Sequence, residues 1–100
     1  MKILVKTKEF DLWLLKLKDN RAKAKILFRL QKVGSHGHYG DFKIIHGGLR
    51  EMRINYAKGY RIYYRELSTD RIILLIGGDK SSQKRDILKA KKIWSKLNHY

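Results

Sequence analysis

The sequence predicts an α+β fold in the order β-α-α-β-β-β-β-α, an antiparallel sheet packed by helices. Three observations predict it. Apolar residues recur at helical spacing in three places: Phe10, Trp13, Leu14 and Leu17; then Ala22, Ile26, Leu30 and Val33; then Ile87, Ala90, Trp94 and Leu97. Between the second and third stripes lie short runs rich in Ile, Tyr and Leu, several alternating with charged residues at period two. Gly, Asn and Asp punctuate those runs at hairpin intervals, and no Pro interrupts them.

Lys2–Lys6 reads as a first strand. Thr7 can cap the helix that carries Phe10 and Trp13, and Glu9 suits its first turn, where free N–H groups favour an acid. Asp19-Asn20 breaks that pattern and can cap the second helix, which Gly34 should stop. Ser35–Gly40 is a loop. Phe42–His46 and Leu49–Tyr56 are strands joined by Gly47-Gly48, and Ala57-Lys58-Gly59 leads into the strand Tyr60–Glu66. After a turn at Ser68–Asp70, Arg71–Ile76 is apolar on both faces, the mark of a central strand. Gly77-Gly78 is then expected to turn the chain, and Ser81 or Ser82 to cap the last helix. Hairpin-length connections make the last four strands an antiparallel meander, with helices on one face and the other face partly open.

A chain of 100 residues with no linker, repeat or low-complexity stretch is expected to form one domain, residues 1–100. Lys and Arg number 24 against 9 Asp and Glu, a net charge of +15. Solubility of a small domain needs a net charge of only about 2 to 8. The surplus repels itself in a compact state, so it points to an anionic partner: nucleic acid, an acidic protein or a membrane surface. The absence of Cys excludes a disulfide scaffold and Cys-zinc sites. No apolar run reaches the ~18 residues of a membrane span. MKILVKTKEF is too short and too charged for a signal peptide, so a cytoplasmic protein that does not engage membranes is expected.

Strand parity selects candidate site residues. Glu51, Arg53 and Asn55 point to one side of their strand, and Arg61, Tyr63 and Arg65 share a side of the next. Ile54 and Ile62 are natural core residues, so Arg53, Arg61 and Tyr63 should converge on the open face. Two guanidiniums one strand apart suit a phosphodiester, which they can grip bidentately. Tyr63 would stack on a base there, with Arg65 nearby. A solvated face with cross-strand pairs, such as Glu51 with an arginine, would produce the same pattern. Past the central strand, GGDKSS sets Lys80 and Ser81 at a helix start, where free N–H groups favour an anion. It lacks Walker A spacing. Asp86 follows in the first turn, either complementing the helix dipole or moving protons beside a scissile group. His46, near a strand end, could reach the open face as a general acid or base. His36-x-His38 with Asp41 is too sparse a set to argue for a metal, and none is expected. His99 is nearly terminal and expected to fray. Trp13 and Trp94 read as core.

The order and spacing of TKEFDLWL, KDNRAKAKILFRL, GDFK, EMRI, KGYRIYY, LLIGGDKSSQ and DI-x-x-A-K resemble the RelE/ParE toxin superfamily over nearly the whole chain. The resemblance is strongest to the phage-derived, HigB-like "addiction module killer" branch of type II toxin–antitoxin systems. It implies a RelE-like fold and a ribosome-dependent mRNA endoribonuclease. Such enzymes promote attack of the RNA 2′-hydroxyl on the adjacent phosphate without a metal or other cofactor. Arg61 matches the strand arginine of the GYR motif, Arg53 the basic residue of the preceding strand, and Lys80 the cation after the last strand. Where well-known RelE members carry Tyr near the start of the last helix, Asp86 stands here. HigB-like members use an acidic residue and a His, which makes Asp86 and His46 the candidate proton-transfer groups. The implied partners are mRNA, the ribosome and an acidic helix-turn-helix antitoxin, whose complex with the toxin would bind operator DNA. ParE-like relatives that poison DNA gyrase, and a non-catalytic nucleic-acid-binding regulator, are the alternatives.

Overall fold

The computed structural model describes residues 1–97, so His99 lies outside the described residues. The element order is β1 (Ile3–Lys6), α1 (Lys8–Lys16), α2 (Asn20–His36), β2 (Phe42–His46), β3 (Leu49–Ile54), β4 (Tyr60–Ser68), β5 (Arg71–Asp79), a 3-10 turn (Lys80–Ser82) and α3 (Gln83–Lys96). The sheet order is β1-β5-β4-β3-β2. β2 to β5 form the expected antiparallel meander, whereas β1 pairs with β5 in parallel, which makes the sheet mixed. The α+β class is as the sequence predicts.

Local chemistry sets the helix ends. The Thr7 hydroxyl accepts from the Phe10 N–H, and Asp19 Oδ1 accepts from Arg21 and Ala22, so both predicted N-caps form. Gly34 does not stop α2. A glycine inside a helix costs about 1 kcal/mol relative to Ala, yet α2 continues through Gly34 where it passes β1. The Gly34 carbonyl accepts from the Lys2 N–H at 2.7 Å, and Leu4 Cδ1 lies 3.5 Å from where a Cβ would stand. The helix ends instead at Gly37, which takes the left-handed conformation and donates its N–H to the Val33 carbonyl.

Helices lie on both faces of the sheet, which corrects the expectation that they cover only one; the α3 face stays partly open, and the Arg53 side chain there is 31% exposed. On one side Phe10, Ala22, Ile26, Leu30 and Val33 pack onto Met52, Ile54, Ile62, Tyr64, Ile72 and Leu74. On the other, Ala90 and Ile93 of α3 pack onto Leu49, Tyr63, Ile73 and Leu75. β5 is apolar toward both sides, and each fully buried Ile or Leu contributes roughly 1.5–3 kcal/mol. Its second face therefore needs a cover, and the apolar stripe of α3 supplies it. α3 runs back across the sheet, from Asp86 over Gly78 at one end to Trp94 against Arg65 at the other.

Gly77 and Gly78 lie within β5 and are buried, so they are not the predicted turn. They are landing places for side chains from opposite faces. A Cβ on Gly77 would fall inside the Trp13 ring, and one on Gly78 would overlap the Asp86 carboxylate. The chain turns two residues later, where Asp79 caps the 3-10 segment with its side chain. Ser82 is the N-cap residue of α3 but makes no side-chain capping bond.

Candidate active site

The register across three strands builds the site. Arg53 of β3 stands directly opposite Arg61 of β4, and Arg61 pairs on its other side with Gly78 of β5. Cross-strand partners share a face, and neighbouring strands lie ~4.8 Å apart. Because Gly78 has no side chain, Asp86 descends from α3 into that third place. The result is one row across the sheet: carboxylate, guanidinium, guanidinium. The Ser82 hydroxyl donates to Asp86 Oδ2 and orients it, and Arg85 Nε is 3.9 Å from Oδ1.

Glu51, two residues before Arg53, organises the arginines. Its side chain is wholly buried. Oε1 accepts from Arg53 Nε at 2.9 Å and from Arg61 Nη1 at 3.0 Å. Oε2 accepts from Tyr63 Oη at 3.0 Å and from Gln83 Nε2 at 2.9 Å. Burial alone would push the Glu51 carboxyl up. The hydrogen bonds from Arg53, Gln83, Tyr63 and Arg61 outweigh it and hold the group below the usual range, so it stays ionised. One buried charge thus holds two cations, each with further N–H donors beyond its bond to Glu51. The Arg53 side chain is 31% exposed and that of Arg61 11%, so both remain within reach of a ligand at the sheet surface.

Lys80 lies exposed at the start of the 3-10 turn, past the β5 end of the row. Its N–H donates to the Lys58 carbonyl at 3.3 Å, which ties this turn to the β3–β4 hairpin. Ser81 is occupied structurally: its N–H and hydroxyl both donate to Asp79 Oδ1. The Ser81 hydroxyl is the main reason that the Asp79 carboxyl is held below its ordinary range.

Residues 12–95 match the family described as "Phage derived protein Gp49-like (DUF891)". The chain belongs to the Gp49-like family. This phage-derived family is associated with toxin–antitoxin systems and related to RelE-type toxins. A Haemophilus influenzae protein, described only as uncharacterized, is 45% identical over 98 residues, covering 97% of this chain and 98% of its own length.

Three other residues expected at the site of this Gp49-like protein stand elsewhere or face inward. Tyr63 has the predicted parity but is wholly buried beneath α3, so it cannot stack on a base. Burial, and then the neighbouring Glu51 charge, push the Tyr63 phenol well up. It therefore remains a hydrogen-bond donor. Arg65 and His46 sit at the other end of α3. The Arg65 guanidinium stacks 4.3 Å from the Trp94 ring centroid and donates to the Gly47 carbonyl. His46 pairs with Leu49, four residues along β3 from Arg53, which is ~13 Å at strand rise. The row and His46 are therefore separate places on the same face. His36 and His38 stack on each other, and no group of three metal-ligating residues occurs among the described residues.

Two contributors were not selected from the sequence. Glu51 entered only as a surface pairing partner, yet it is the buried centre of the network. The Glu-x-Arg spacing in β3 was the available signal, because period two puts both side chains on one face. Gln83 carried no signal, since only the fold of α3 over the sheet brings it to Glu51.

Proposed function

We propose that the protein is the toxin of a toxin–antitoxin pair and that it cleaves mRNA on the ribosome at the Asp86–Arg61–Arg53 row. The observation that carries this reading is the pair of opposed arginines held on one buried carboxylate, with a second carboxylate set beside them over Gly78. The chemistry is attack of an RNA 2′-hydroxyl oxygen on the adjacent phosphorus. The P–O5′ bond breaks, leaving a 2′,3′-cyclic phosphate and a free 5′-hydroxyl. Arg53 and Arg61 hold the non-bridging oxygens, where negative charge builds in the transition state. Because Glu51 fixes them beforehand, little reorganisation is needed as that charge develops. Asp86 takes the proton of the 2′-hydroxyl, the departing O5′ takes a proton from solvent, and Lys80 adds a further cation beyond the end of β5. Glu51 and Gln83 are positioning residues.

The net charge of +15 supports contact with ribosomal RNA and neutralisation by an acidic antitoxin over the same basic surface. The toxin–antitoxin complex would bind its operator DNA through the antitoxin. Brief induction in cells, with mapping of mRNA 5′ ends, tests the reading. New 5′ ends inside translated codons, with growth arrest, are expected. Growth arrest with intact mRNA and a DNA-damage response would replace this reading with gyrase inhibition. No arrest at all would leave a binding module.

A further inference from the structure

β1 pairs with β5 only over Arg71–Leu74. Past that point the chain leaves β1, caps α1 with Thr7 and turns away, so among the described residues the outer edge of Ile76–Asp79 has no strand beside it. α1 and α3 flank this edge from opposite faces and leave a cleft of about 470 Å³. That volume is within the ~300–1,000 Å³ usual for small-ligand sites. Partly exposed Trp13 forms one wall and Asp86 the other, with Gly77 and Gly78 along the floor. Lys16, Arg85 and Lys89 line it as well, alongside Glu9 and Asp79. The cleft therefore opens beside the carboxylate end of the row and shares Asp86 with it.

We infer that this α1–α3 cleft receives one unstacked nucleobase of the RNA, next to the phosphate held by the arginines. An aromatic wall gives a base a stacking surface, and flanking cations track the backbone. Trp13 is suited to this and Trp94 is not. The Trp94 ring is already stacked by Arg65, whereas Trp13 packs on Phe10 and over Gly77 and presents part of its partly exposed surface to the cleft. The proposal rests on the RNA-cleaving reading for the identity of the ligand and adds where its base binds.

The chain has two tryptophans, so fluorescence assigns the site. In the Trp94→Phe protein Trp13 is the sole indole. Titration with a 2′-deoxy trinucleotide, which lacks the attacking hydroxyl, should quench and shift its emission. The matching abasic sugar–phosphate should not. In the Trp13→Phe protein, folded by circular dichroism, the response should vanish and affinity should fall. Loss of a stacked aromatic contact of the size seen on alanine substitution corresponds to roughly 5- to 150-fold, and Phe retains part of it. No response of Trp13 in the Trp94→Phe protein would overturn the inference even if Trp13→Phe fails to fold. An equal response to the abasic compound would overturn it as well. Messenger cleavage without a Trp13 response would remove the base site and keep the nuclease. A Trp13 response in a protein that does not cleave would do the reverse.

Discussion

Replacing Glu51 separates its charge from its geometry. Glu51→Ala removes four hydrogen bonds at once and leaves two partly buried guanidiniums beside a vacated space. Removing one partner of a buried ion pair costs about 3–5 kcal/mol, against a total stability of about 5–15 kcal/mol for a domain. At about 4–8 °C per kcal/mol for a chain of this size, the midpoint of thermal unfolding should fall by at least about 12 °C. Glu51→Gln behaves differently. Its amide oxygen can still accept from Arg53 and Arg61. Its amide nitrogen can donate to Tyr63 Oη and to Gln83 Oε1, after the Tyr63 hydroxyl rotates and the Gln83 amide flips. It loses the charge and keeps the contacts, so it should lie well above Glu51→Ala in stability. Thermal and urea unfolding of the two variants beside the parent provides the assay. A Glu51→Ala protein within about 1 kcal/mol of the parent would refute the view that one carboxylate holds the arginine row.

The same network sets an acid limit. Glu51 titrates lower in the folded than in the unfolded protein, so its stabilisation is complete above the ordinary glutamate range, ~4.3, and is lost as pH falls below it. Urea unfolding from neutral pH downward should show that loss in the parent and a reduced slope in Glu51→Gln. Gly78→Ala should expel Asp86 from the row and reduce RNA cleavage while arginine-dependent RNA binding persists; cleavage and filter-binding assays on one preparation distinguish these effects. Asp86→Asn should lower cleavage at unchanged fold, whereas His46→Ala, ~13 Å along the sheet from Arg53, should leave it near the parent's rate.

Much of this architecture is legible in the sequence. The caps at Thr7 and Asp19 and the meander from Phe42 onward follow from residue type and period, because they depend on neighbours within a few positions. The pairing of Arg53 with Arg61 is legible for the same reason, since strand parity and a short hairpin constrain which side chains meet. What could not be read depends on contacts distant in sequence. Whether the face bearing Tyr63 is open depends on where α3 docks, and Tyr63 looks the same in a strand pattern whether solvent or Ala90 covers it. Gly77-Gly78 resembles a turn, because turns and close side-chain approach both need glycine; only the positions of Trp13 and Asp86 distinguish them. Gly34 and Gly37 pose a similar ambiguity at the end of α2, and the left-handed backbone at Gly37 resolves it.

The central claim is that the arginine row stabilises charge during RNA cleavage. Single-turnover cleavage of ribosome-bound mRNA by the Arg61→Ala protein, matched to the parent for folding by circular dichroism, measures this directly. Loss of one preorganised donor to a developing oxyanion costs about 10²–10³ in rate, and the residual product should still end in a 2′,3′-cyclic phosphate. Cleavage at the parent's rate by folded Arg61→Ala would contradict the claim.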